Sequence, residues 1–323
     1  MALFAIQVPA VFSLALQLFH RLTQAVRLAL DDYLVIVLTP VFIAFLVVGQ
    51  YAAAIGFGVD IWTLSPETIV KSMKPCRKNN KAFYVDEMLY LAILALVKLS
   101  MLFLYLRVFA PQAPPTTRAA RRYQKHYGVF RVAVLTIAVF VALPSVVFLL
   151  LDAFQCRPVD TVWLQWTSSS APQPRGALPP PPPLSSSVSC LNVRALAYVA
   201  ASFGLVQDVA ILLVPWPMLL HLRHSVVPSS SFPPSSSTRA ATAAMVTAMA
   251  MFSLGVFVLI TSCVRLHFLV HFSETSLNPT WDNTDSLIWS GLEVSVSVIV
   301  MSLPTVRMLG QRAWRSWREE NRG

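Results

Sequence analysis

Apolar residues run along this chain in seven stretches, separated by segments rich in charge, proline or serine. Six of them, residues 33–55, 88–109, 132–151, 195–220, 243–264 and 286–303, meet or nearly meet the length of about 20 apolar residues that a helix needs to cross a bilayer. The seventh, residues 2–19, is shorter and opens the chain. A secretory signal carries positive charge ahead of its apolar core. Here Arg21 and Arg27 come after it, which favours a retained first span over a cleaved one. The pattern predicts an all-α membrane protein, a seven-transmembrane helix bundle over residues 1–310 with a short basic tail at 311–323.

Charge sets the expected orientation. With the N-terminus outside and the C-terminus cytoplasmic, fifteen of the 25 basic residues fall on the inner side, and eight fall outside. Nine of the 15 acids also fall outside. Cytoplasmic loops of membrane proteins carry such a Lys/Arg excess. Composition agrees: 56% of residues are hydrophobic and 12% charged, about half the charge of a soluble domain. The net charge of +10 then reads as an affinity for anionic lipid. The basic residues border apolar spans and form no surface stripe, so nucleic acid is not an expected partner.

The loops hold two low-complexity segments, 168–189 with a five-proline run and 227–238 rich in serine. Both read as solvated linkers, the first as a stiff polyproline spacer. The tail around 309–318 places Leu309, Ala313, Trp314 and Trp317 against Arg312, Arg315 and Arg318. That spacing suits an interfacial amphipathic helix, or simply a frayed basic end. Four cysteines are too few for a disulfide-built fold and show no zinc spacing. Cys263 reads as a buried span residue.

A set of short strings is more specific. Asp31-Asp32-Tyr33 opens the second span, and Phe83-Tyr84-Val85-Asp86-Glu87 leads into the third, which ends on Tyr105-Leu106-Arg107. Phe154-Gln155-Cys156-Arg157-Pro158 follows the fourth, Asp208 precedes Val214-Pro215-Trp216-Pro217, and Asn278-Pro279-Thr280-Trp281-Asp282 precedes the last. Together, over about residues 20–310, they resemble the fungal rhodopsin-like domain family. That family includes satratoxin-cluster membrane proteins and the cores of fungal receptor-like proteins. Residues 72–81 look like a basic loop insertion relative to the pattern.

The resemblance implies a receptor-like seven-span protein of the plasma membrane, with a small-molecule ligand and a heterotrimeric G protein as partners. It equally permits an accessory membrane protein or transporter of a secondary-metabolite cluster. It implies a disulfide between Cys156 and Cys190, with Cys76 as the rival partner, and a family signature at Asp31, Asp32, Asp86, Glu87, Trp281 and Asp282. Asp31 and Asp32 have a plainer reading as first-turn acids that complement the helix dipole. Tyr105 and Arg107 lie where a receptor-type switch would sit, although Arg107 also suits a snorkelling anchor.

Retinal is not expected as a cofactor. A Schiff-base lysine would stand in the last helix, and no lysine follows Lys125. Nor is an enzyme expected. His267, His271 and Glu274 offer metal-like spacing, but no third histidine lies on that side. The strongest functional candidates are four charges inside spans, Lys98, Asp208, Arg265 and Glu293. A charge at a helix centre costs on the order of 2.5–3.5 kcal/mol, and these four sum to zero. The expectation is that Lys98 pairs with Asp208 or Glu293, and that Arg265 offsets the other acid. Such pairs either fix helix register or line a functional pocket.

Overall fold

The computed structural model describes residues 2–23, 30–54, 66–110, 118–157, 189–217, 249, 252–253, 255–267 and 284–320. Among them lie the helices α1 (Ala2–Thr23), α2 (Leu30–Ala54), α3 (Pro66–Val108), α4 (Arg118–Ala153), α5 (Val193–Leu213), α6 (Gly255–His267) and α7 (Thr284–Glu320). Four contain stretches long and apolar enough to cross a membrane: Leu30–Tyr51, Tyr84–Val108, Gln124–Ala153 and Ala195–Leu213. Shorter apolar stretches, Gln7–Phe19, Gly255–His267 and Leu287–Leu303, lie in α1, α6 and α7. The molecule is a helical membrane protein. The segment at 227–238, nearly all of that at 168–189, and Trp281, Asp282, His271 and Glu274 lie outside the described residues.

Helix α3 is the axis of the fold. Half of its apolar window (50%) is buried, against 17% in α4 and 11% in α5, so α3 is packed on several sides while α4 and α5 face outward. Val129, Val132 and Leu143 of α4 are among its exposed apolar residues, as a lipid-facing surface requires. Two apolar cores flank α3. The first joins it to α1, α2 and α7 through Leu14, Phe42, Ile93, Val298 and Met301. The second joins it to α4 and α5 through Leu102, Tyr105, Phe130, Val134 and Ile211. Helix α1 belongs to the packed body, since Ser302 of α7 donates to Gln17 Oε1 at 2.8 Å between buried side chains.

Two expectations are revised, and one of the two readings of the tail is selected. Residues 72–81 are not a loop; they form part of α3, which Pro66 opens at a position where its missing N–H costs nothing. At 43 residues and about 1.5 Å each, α3 is roughly twice the hydrocarbon thickness. Lys74, Arg77, Lys78 and Lys81 are good helix formers, and growth from the already nucleated span carries the helix through the unfavourable Pro75 and Asn79-Asn80. The tail is helical, as the amphipathic reading expected and the frayed one did not, and it continues α7 to Glu320. Trp314 and Trp317 are both exposed and stack with centroids 5.2 Å apart. Cys263 is exposed on α6 instead of buried. Thr261, two positions earlier, is buried, and a two-residue step turns a helical side chain to the far face.

Beyond the end of α4, where Tyr84 of α3 donates to Ala153 O at 2.9 Å, Cys156 and Cys190 form a disulfide, as the resemblance implied. It joins two short antiparallel strands, β1 (Cys156–Arg157) and β2 (Ser189–Cys190), in which the cysteines are direct partners. Leu191 N donates to Gln155 O at 2.8 Å, and Asn192 caps α5 by accepting from Ala195 N at 3.1 Å. The end of α4 is thereby tied to the start of α5.

Candidate functional site: a polar cavity within the helices

The four intramembrane charges converge on one partly open cavity between α3, α4, α5, α6 and α7. Lys98, buried on α3, places Nζ 2.9 Å from Asp208 Oδ1 of α5. The same ammonium donates to Gly204 O at 2.9 Å and Gln207 Oε1 at 3.4 Å. Its three N–H groups therefore have three acceptors on a single helix.

Glu293 of α7 is held differently. Tyr90 of α3 donates its hydroxyl to Oε2 at 2.6 Å, and Ser262 of α6 donates to Oε1. Ser262 Oγ is also 3.3 Å from Asp208 Oδ2. A hydroxyl has one proton to donate, so Ser262 serves one acid at a time and couples the two. Arg265 is held differently again. No carboxylate lies within salt-bridge distance of it among the described residues. Instead its guanidinium sits 4.2 Å from the centre of the Tyr90 ring, and Nε donates to Ser290 Oγ at 3.0 Å. Its attraction to Glu293 and Glu87 acts across this layer. A planar, weakly hydrated guanidinium suits an aromatic face.

Sequence reasoning missed Tyr90, Gly204, Gln207, Ser262 and Ser290. Helical spacing held a signal for three of them. Ser262 precedes Arg265 by three residues, Ser290 precedes Glu293 by three, and Gly204 precedes Asp208 by four, the offsets that share a helix face. Two further acids also line the cavity, Glu87 and Asp152. Asp152 lies at the end of α4, where hydropathy reads it as a boundary residue.

The remaining candidates lie elsewhere. Arg107 at the end of α3 donates to Asp31 Oδ2 at 3.1 Å and Asp32 Oδ1 at 3.3 Å. Both acids are buried in the first turn of α2, while the arginine side chain is half exposed. Tyr105 does not join them; it is buried in the α3–α4–α5 core, two positions and therefore half a turn away. Asp86 is buried outside the cavity lining, with Oδ1 toward Gly49 of α2. No group of three or more His, Cys, Asp or Glu side chains is placed to hold a metal ion among the described residues.

The fungal rhodopsin domain matches residues 16–312, nearly the whole chain. The protein belongs to the fungal rhodopsin domain family. No curated protein and no solved structure matches the chain. Within this fungal rhodopsin-domain protein, the cavity is built from residues inside the matched region, as are Arg107, Asp31 and Asp32.

Proposed function

We propose that this protein is a seven-span receptor-like membrane protein, with its N-terminus outside and its C-terminus cytoplasmic. It binds a small molecule, without retinal, in the cavity between α3 and α5–α7. The observation that carries the proposal is the buried polar network Lys98–Asp208–Ser262–Glu293–Tyr90–Arg265, which joins four helices around open space. A bundle that needed only lipid-compatible packing would not collect four charges at one place. Small-molecule sites between helices combine apolar walls with a few convergent polar groups.

Helix α3 links this network to the Arg107 pair. Nine residues separate Lys98 from Arg107, about 13 Å of helix. A ligand that shifts α3 against α5 and α7 also loads the contact with α2, and that end faces the cytoplasm and a heterotrimeric G protein in this reading. The plasma membrane is the corresponding location.

Topology and signalling are tested separately. A reporter fused after Gly323 is expected in the cytoplasm, and a protease site placed beside Pro181 is expected to be cut from outside intact cells. Expression in a reporter cell with a heterotrimeric G protein is expected to give ligand-dependent output that Arg107→Ala alters. If no output appears, and deletion of the gene impairs product export or self-resistance, the protein is a transporter or accessory component of a secondary-metabolite pathway.

A further inference from the structure

Lys98 is fully engaged by Asp208, Gly204 and Gln207, and Arg265 lies on Tyr90 and Ser290. Neither base forms a salt bridge with Asp152 among the described residues, and Arg265 attracts Glu87 only at longer range. Among the described residues, four acids and two bases face this space, a formal excess of two negative charges. That excess is centred on Asp152, since Arg265 partly offsets Glu87. The Asp152 side chain belongs to a residue only 3% exposed, it lines the cavity, and its Oδ2 has no hydrogen-bond partner among the described residues. Glu87 is near enough to repel it. A buried carboxylate is ordinarily paired or hydrogen-bonded, so this one is short of a cationic donor.

The surroundings restrict what that donor is. Among the described residues, no third His, Cys, Asp or Glu joins these two carboxylates in a metal-holding group. The adjoining walls are apolar and aromatic. Phe148 and Phe203 meet edge to face at 5.7 Å, and Leu196, Ala197 and Ala200 continue the surface. An ammonium group on a hydrocarbon or aryl body satisfies both halves of this site, through charge-assisted hydrogen bonds to carboxylate oxygens and burial of the body. We propose that the cavity binds an organic amine, with its ammonium between Asp152 and Glu87 and its apolar body against Phe148 and Phe203. This inference rests on the reading of the cavity as a ligand site.

The test uses the full chain, purified in detergent, and three probes of one shape: 2-phenylethylamine, 2-phenylethanol and 3-phenylpropanoate. Thermal unfolding is followed over a titration of each. The amine is expected to raise Tm, the alcohol to act more weakly and the anion not at all. Asp152→Asn removes the uncompensated charge, so it is expected to raise Tm without ligand while weakening the amine by at least about 30-fold. Glu87→Gln is expected to weaken the amine about tenfold, and it supplies the answer if Asp152→Asn fails to fold. Ala200→Trp fills the cavity and is expected to abolish binding of both amine and alcohol. Alcohol binding as tight as amine binding, with both lost in Ala200→Trp, overturns the amine inference and leaves the ligand site standing. Undiminished amine binding in Asp152→Asn overturns it as well, and points to a proton shared between the two acids. Failure of all three probes to stabilise the protein overturns both the inference and the ligand site.

Discussion

Lys98 and Asp208 form an ion pair of 2.9 Å between α3 and α5, with both side chains nearly buried. Removing one partner leaves the other charged and unpaired in a medium without water, which costs about 3–5 kcal/mol. Lys98→Met is therefore expected to lower the yield of folded protein and its Tm in detergent. Adding Asp208→Leu is expected to restore much of both, whereas adding Glu293→Leu is not, because Glu293 is bonded to Tyr90 and Ser262. Equal rescue by either second change would contradict this partner assignment.

Tyr90 makes two separable contributions, a hydroxyl bond to Glu293 and a ring beneath Arg265. Tyr90→Phe keeps the ring and removes the bond, at about 1.5–3 kcal/mol for a hydrogen bond to a charged group. Tyr90→Leu also removes the cation–π contact, a further loss of about 2 kcal/mol in a desolvated site. Thermal unfolding is expected to rank the proteins wild type, Phe, Leu. If Phe and Leu are equally unstable, the ring contributes nothing beyond its bulk.

The Arg107 pair is weaker because its arginine is half exposed. Arg107→Ala is expected to cost about 1 kcal/mol, near the upper end for solvent-accessible pairs. The two aspartates keep the favourable end of the α2 dipole. Hydrogen exchange is expected to rise in the first turn of α2 and the last turn of α3, and nowhere near the disulfide. Combining Arg107→Ala with Asp31→Asn is expected to cost less than the two single changes added together.

The disulfide closes a separation of 34 residues. Chain entropy puts its contribution at about 3–4 kcal/mol at most. Cys156→Ser and Cys190→Ser are each expected to destabilise by a similar amount, and the double variant by no more than either. Peptide mapping without reductant is expected to recover the Cys156–Cys190 pair; a Cys76–Cys156 peptide would contradict it.

Hydropathy alone identified a helical membrane protein, because the free energy of placing a residue in lipid is largely its own property and adds along a helix. The same accounting singled out Lys98, Asp208, Arg265 and Glu293, since a charge inside an apolar run is costly wherever the helix packs. The short strings carried the family and, with it, the disulfide. Hydropathy could not say that Lys98 takes Asp208, that Arg265 lies on Tyr90, or that Arg107 reaches back to Asp31. Those choices depend on how far each helix is rotated and how deep it sits, and packing sets both between residues as distant in sequence as Tyr90 and Glu293. Asp152 shows the difference most plainly. In sequence it is a polar residue ending an apolar run, the usual mark of an interface; in the fold it is a buried acid in the cavity lining whose Oδ2 has no hydrogen-bond partner among the described residues.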